Sequence, residues 1–317
     1  MKIEEVHEKA NLVLEEVGKA IVGKEGVLKM ILTTILADGH VLIEDLPGLA
    51  KTLMAKSFAG ALGLDFRRVQ FTPDLLPSDI LGVSVFNQKT LEFEFRRGPV
   101  FTNVLLADEI NRSPPKTQSA LLEAMQERQV TVEGHTHELP RPFIVIATQN
   151  PIEQEGTYPL PEAQLDRFLV RLRVGYPNRE EEKEILRRRM ERKREEVEIK
   201  PVVRAGDVTE MQRAIEDVYV SDPILDYIVD LVNATRNDRR NLEIGASPRG
   251  SLALLKLSRA YAAIEGRDYV IPDDVKSVAI PALSHRLILK RELWYTRVSQ
   301  ESVMAKILEK VPVPKFE

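Results

Sequence analysis

Up to about Tyr176, short unbroken apolar runs alternate with longer segments of helical period. The runs are HVLIED (40–45), FRRVQF (66–71), NVLLADE (103–109), FIVIATQN (143–150) and FLVRLRV (168–174). Hydrophobicity that is continuous, not alternating, is the mark of parallel strands covered on both faces. Between them, KTLMAKSFAGAL (51–62) and KTQSALLEAMQER (116–128) read as helices. Such a β-α-β succession predicts a parallel sheet between two helical layers. Two further segments alternate residue by residue: GVSVFNQKTLEFEF (82–95) around Asn87-Gln88, and QVTVEGHTHELP (129–140) around Glu133-Gly134. Both predict antiparallel hairpins inserted into the α/β pattern.

Beyond Tyr176-Pro177-Asn178 the period becomes helical. REEEKEILRRRMERKREEVE (179–198) predicts a solvated helix laced by charges four residues apart. In DPILDYIVDLVNATR (222–236), Ile224, Ile228, Leu231 and Val232 form one apolar stripe, with Asp222 expected as cap and Pro223 as first helical residue. Ser247-Pro248 opens the next helix, LALLKLSRAYAAI (252–264), in the same way. The change of texture predicts an α/β domain over 1–176 and a helical domain over 177–317.

Composition changes this picture little. Lys and Arg total 45 and Asp and Glu 49, so the net charge is 45 − 49 = −4. That balance lacks the basic footprint of a nucleic-acid binder, and no nucleic-acid partner is expected. Without cysteine there is neither a disulfide framework nor thiol chemistry. The opening MKIEEVHEKANLVLEE is charged and helix-patterned, unlike a signal peptide, and Lys29, Asp38 and His40 interrupt the apolar run from Val27 to Leu42. No membrane span is expected, and a cytoplasmic location is.

Candidate chemistry begins at EDLPGLAKT (44–52). A phosphate-binding loop needs a strand, backbone N–H groups that cradle phosphates, a helix facing them, a Lys for the terminal phosphates and a hydroxyl for Mg²⁺. HVLIED and TLMAKSFAGAL supply strand and helix, while Lys51 and Thr52 follow in the required order. The usual pattern is G-x-x-x-x-G-K-[ST]. Here Asp45 and Ala50 stand at the two glycine positions, and Pro47-Gly48 forms the apex. Ala50 is tolerable with a negative φ; Asp45 is tolerable if its carboxylate turns away from the phosphates. A plain Pro-Gly corner would read the same. NVLLADE ends in Asp108-Glu109, suited to holding Mg²⁺ and to orienting or deprotonating a water, or else a solvated acidic pair. FIVIATQN ends in Asn150 at the same sheet edge, where ligands bind, or simply starts a turn. Arg167 precedes the last strand, and Arg249 lies in the first turn of a later helix. Their order and spacing together favour the nucleotide reading.

With these residues the sequence resembles the AAA+ ATPases, and within them the MoxR family, through GLAKT (48–52), VQFTPDLLPSDILG (69–82), GPVFTNVLLADEINRSPPKTQSALLEAMQE (98–127), ATQNP (147–151), GTYPLPEAQLDRF (156–168) and GASPRG (245–250). The resemblance covers nearly the whole chain, and Ala in GLAKT is familiar in the family. It implies an AAA+ three-layer parallel sheet with hairpin insertions, followed by an all-α lid domain. It implies ATP binding by Pro47, Gly48, Leu49, Ala50, Lys51, Thr52 and Leu53, with Ile21, Val22 and Gly23 near the adenine. Thr52 and Asp108 would hold Mg²⁺, and Glu109 would complete the Walker B pair. Asn150 would be sensor 1, Arg167 a finger for the neighbouring subunit's ATP, and Arg249 the sensor 2 that links the lid to the γ-phosphate. A homo-oligomeric ring, in all expectation a hexamer, would act on a protein client, often with a von Willebrand factor A domain partner. The hairpins would be the helix-2 insert and the pre-sensor-1 hairpin, or surface hairpins without further role.

Arg112 reads equally as an interface residue and as a capping or solvated one. His135 and His137 share a strand face, but no third metal ligand is visible. Two other functions share these motifs: a helicase-like nucleic-acid motor and a scaffold switched by ATP with little turnover.

Overall fold

The computed structural model describes residues 1–151 and 156–314. Two helices, α1 (Ile3–Gly18) and α2 (Glu25–Leu36), lead into β1 (Val41–Glu44), α3 (Lys51–Ala61), β2 (Phe66–Gln70) and α4 (Pro77–Leu81). There follow β3 (Gly82–Asn87), β4 (Glu92–Arg97), β5 (Val104–Asp108), α5 (Pro115–Glu127), β6 (Gln129–Val132), β7 (His135–Glu138), β8 (Ile144–Gln149), α6 (Glu162–Leu165) and β9 (Val170–Leu172). The remainder comprises α7 (Arg179–Arg192), α8 (Ala205–Glu216), α9 (Asp222–Asn237), β10 (Leu242–Ile244), α10 (Pro248–Ile264), α11 (Pro272–Leu283), β11 (Ile288–Leu289) and α12 (Gln300–Lys310).

The five predicted runs form one parallel sheet in the order β2-β5-β8-β1-β9. Successive side chains point to opposite faces of a strand, which explains why the runs must be apolar throughout. Val41 and Ile43, Val104 and Leu106, and Ile144 and Ile146 enter the core shared with the first three helices and the later helical region. Leu42, Leu105, Ala107, Val145 and Ala147 enter the opposite core, against α5. At one edge β9 carries Arg171 between its two buried residues, and β2 departs further from this pattern. It is an edge strand, and of FRRVQ only Val69 is buried, so Arg68 and Gln70 stand free to meet side chains of β5.

Both alternating segments are hairpins, β3 with β4 and β6 with β7. The His137 ring stacks on Phe95 at 4.1 Å and so joins them, while His135 faces its own turn through the Glu133 carbonyl. Among the described residues no cluster of three potential metal ligands occurs. Likewise no helix there is long and apolar enough to cross a membrane.

Three details differ from the sequence expectation. Helix α7 stops at Arg192, not at residue 198, with Lys193 left-handed at φ 57°. Its residues are all at least partly exposed, so its caps, its charge pairs and the Arg188 bond to the Gly18 carbonyl at 2.7 Å sustain it in place of a buried face. The chain turns aside to pack Ile199 against α3 at Gly60. The residue before α9 is Ser221, and Asp222 begins the helix, so Pro223 takes a first-turn position where its missing N–H costs nothing. The otherwise helical second region contains a short antiparallel pair, β10 with β11, anchored by buried Leu242.

Below β1 lies a buried imidazole. His40 Nδ1 accepts the Val145 N–H at 2.9 Å, and its other nitrogen faces the Met125 carbonyl at 3.2 Å. Burial, aided by the Arg128 charge, lowers its pKa from 6.5 to about 3. Its uncharged form is therefore favoured by folding: the stability is present above pH 6.5 and is lost as pH falls toward 3. His285, buried against the Phe168 carbonyl, is lowered well below 6.5 by the same cause and adds to this loss. Each unit below pH 6.5 should cost about 1.4 kcal/mol per buried histidine. Urea midpoints measured from pH 7 to pH 5 should fall, and more shallowly in His40→Gln. Equal slopes would show that His40 does not resist protonation.

Candidate active site: a phosphate loop and a separate arginine cleft

The chain leaves β1 at Glu44 and must reverse into α3 within a few residues. Gly48 does so at φ 83°, a conformation that glycine adopts without steric cost. Ala50 also lies in the left-handed region, at φ 56° and ψ 20°, against the expectation of a negative φ. The reason is geometric: the residue before α3 must turn the chain into the helix, whatever its side chain. An L-residue there costs about 1–2 kcal/mol relative to glycine, although glycine loses part of that through unfolded-chain entropy. Ala50 is exposed, so no packing is at stake. Ala50→Gly should therefore stabilise the protein by about 0.5 kcal/mol net, read as a higher urea midpoint at unchanged slope. A lower midpoint would show that this backbone is not strained.

Asp45 does turn away. Its carboxylate accepts the N–H groups of Leu46 at 2.8 Å, Val174 at 2.7 Å and Gly175 at 2.6 Å, tying the loop to the chain beyond β9. Only its backbone carbonyl meets the site, accepting from Lys51 Nζ at 2.6 Å. Leu49 points into the core, and Leu53 packs against it. No side chain caps α3, so its first-turn N–H groups face the loop without an intrahelical acceptor. An anion would satisfy them and the helix dipole together.

A cavity of about 300 Å³ opens there, lined by Pro47, Gly48, Ala50, Lys51, Thr52, Leu53, Asp108, Glu109 and Asn150. Burial pulls the Lys51 pKa below the ordinary ammonium range, and the negative charges of Asp45, Asp108 and Glu109 partly restore it. Asp108 Oδ1 accepts the Thr148 hydroxyl at 2.6 Å, and the Thr148 oxygen accepts the Glu109 N–H at 2.9 Å. Glu109, at φ 55°, is itself held by Gln70 at 2.7 Å and by Arg112 at 3.0 Å. Arg112 thus pairs with an acid at the end of β5. Asn150 is buried, and its carbonyl faces the Asn111 amide at 3.5 Å. One hydroxyl and one or two carboxylates, with room for phosphate, suit a hard cation that takes most of its ligands from substrate and water.

Two expectations do not share this cavity. Ile21, Val22 and Gly23 do not line it; Ile21 is buried in the core, and Gly23 sits against Glu181 of α7. Arg249, expected to link the lid to the γ-phosphate, does not line it either. It lines a different cleft of about 410 Å³ together with Arg167, Arg128, Lys256 and Arg286. Asp166 accepts from Arg249 at 3.3 Å and from Arg286 at 2.5 Å, while Arg286 and His285 both meet the Phe168 carbonyl. The turn bearing Arg167 is therefore gripped by three side chains of the helical region. Arg167 itself forms no ion pair with any described residue.

Sequence reasoning missed Thr148, Gln70 and Arg68. Thr148 lies two residues before Asn150 and had a signal in the ATQN string. The other two become visible only once β2 is known to lie beside β5.

The family described as the ATPase family associated with various cellular activities matches residues 40–170, and the AAA lid domain matches 234–307. Fold and site therefore define an AAA+ ATPase, an ATP-hydrolysing enzyme. The chain is 49 % identical to the uncharacterized protein YeaC of Bacillus subtilis, over 98 % of this chain and 97 % of that one. It is 46 % identical to the chaperone MoxR1 of Mycobacterium tuberculosis, over 95 % and 81 % respectively. A solved Cytophaga hutchinsonii protein, provisionally described as an ATPase, superposes with a TM-score of 0.91 at 44 % identity, covering 98 % of this chain and 96 % of that one. The chain belongs to the MoxR family.

Proposed function

We propose that this ATPase works as a Mg²⁺-dependent ring whose catalytic sites are completed between neighbouring subunits, and that it remodels or matures protein complexes. The observation that carries the reading is the separation of the two clefts. One holds Lys51, Thr52, Asp108, Glu109 and Asn150, the other Arg167 and Arg249, with no residue in common. A chain that presents a phosphate site on one surface and arginines on another can close a ring by head-to-tail contacts.

In this reading the α3 N-terminus and Lys51 bind the phosphates, and Thr52 and Asp108 hold Mg²⁺. The bound cation would neutralise charge on the β- and γ-phosphate oxygens. Glu109 accepts a proton from, or orients, the attacking water, which Asn150 also positions. Arg167 and Arg249, both from the neighbour, stabilise charge that develops on the transferred group. The ring would be a hexamer, and the division into domains at residue 176 belongs to the same proposal. A cytoplasmic location and a von Willebrand factor A domain partner remain parts of it, as does a protein client, which the chaperone name of the Mycobacterium relative supports.

ATP turnover per subunit across protein concentration tests the ring. The rate should rise with concentration to a plateau, because dilution removes the neighbour. A substantial rate that stays constant to the lowest dilution, with sedimentation showing monomers, would sink the shared site.

A further inference from the structure

The carboxylate of Asp108 is shared in a way that the ATPase reading does not explain. Its Oδ2 accepts two bonds from one guanidinium, Arg68 Nε at 3.1 Å and Arg68 Nη2 at 2.7 Å. The same Nη2 donates to Gln70 Oε1 at 2.7 Å, and Gln70 Nε2 donates to Glu109 Oε2 at 2.7 Å. A continuous chain thus runs Asp108–Arg68–Gln70–Glu109 along the edge of the sheet. It exists because β2 pairs in register with β5, Arg68 beside Leu106 and Gln70 beside Asp108. The two side chains are two residues apart and so share one face of their strand.

We propose that Arg68 opposes divalent metal at Asp108, and so sets the Mg²⁺ concentration at which the site takes metal-bound nucleotide. The proposal rests on the reading of Asp108 as a metal-holding carboxylate. The guanidinium is permanently charged and lies within hydrogen-bonding distance of Oδ2, the Asp108 oxygen that Thr148 does not engage. Like charges at that range repel, and the carboxylate's field is divided between them. The Arg68 side chain is 48 % exposed whereas that of Asp108 is 13 % exposed. Of the two partners, Arg68 is therefore the one able to swing into solvent when a metal draws on Asp108. Thr148 keeps the other oxygen fixed throughout.

The test is binding of a fluorescent ADP analogue to the full chain while free Mg²⁺ is varied, repeated in EDTA. In Arg68→Gln the half-saturating Mg²⁺ concentration should fall about tenfold. Arg68→Lys retains the charge and should stay within about twofold of wild type. Binding in EDTA should be the same in all three proteins, a result that general damage to the fold would not give. An unchanged or higher Mg²⁺ requirement in Arg68→Gln would overturn the proposal, as would a change that persists in EDTA. Asp108→Asn separates the two levels, because it should raise the Mg²⁺ requirement. If it does and Arg68→Gln changes nothing, Arg68 alone was misread. If Asp108→Asn also leaves the requirement unchanged, the metal assignment of Asp108 fails and the proposal falls with it.

Discussion

Arg167→Ala should bind ATP as tightly as wild type and turn it over about 10³–10⁵-fold more slowly, the range that a finger acting across an interface supplies. Binding should survive because Arg167 lines a different cleft from the phosphate-loop cavity. The loss should be confined to turnover because a guanidinium placed against developing charge acts mainly in the transition state. Mixing gives a sharper version. Lys51→Ala removes phosphate binding but leaves Arg167 intact; Arg167→Ala does the reverse. Each alone should be inactive, yet an equimolar mixture should recover about a quarter of wild-type turnover, since one junction in four would join an intact loop to an intact arginine in a randomly mixed ring. No recovery in mixed rings would place the finger elsewhere, as would full activity in Arg167→Ala.

Glu109→Gln should leave nucleotide binding unchanged and lower turnover about 10²–10⁴-fold, the usual contribution of a positioned general base. Gln preserves the shape of the side chain and can still accept from Arg112 and Gln70, which now hold the carboxylate. What disappears is the negative charge that accepts a proton or orients water. The variant should therefore accumulate as an ATP-bound species, seen as retention of ATP on a desalting column. Turnover within a few fold of wild type would remove Glu109 from the mechanism.

The main strands and the first turns of the main helices were legible in the sequence because each obeys a local rule. Buried parallel strands need unbroken apolar runs, and HVLIED, NVLLADE and FIVIATQN are such runs. Ser247-Pro248 foretold α10, whose cap is the Ser247 oxygen accepting the Arg249 N–H at 3.2 Å. Phosphate-loop chemistry was legible too, since Lys51 and Thr52 are adjacent in sequence and need only a strand before them and a helix after. Less legible were helix ends without a buried face: α7 gave no sign in its charges of where packing of Ile199 would draw the chain away.

By itself, then, the sequence determined the parallel sheet, the two hairpins, the helical second region and the members of each candidate motif. These depend on hydrophobic period and on residues close together in the chain. Tertiary structure alone decided the partnerships. It put Arg249 beside Arg167 through their common neighbour Asp166, on a cleft apart from Lys51. It turned Asp45 away to Val174 and Gly175, made Ala50 left-handed, and laid Arg68 and Gln70 along Asp108 and Glu109. Ala50 follows from the turn of the chain into α3, but the other three share a physical reason: each contact is fixed by strand order or by the docking of the helical region. Those are set by burial of apolar surface across the whole molecule, and no local spacing of polar residues encodes them.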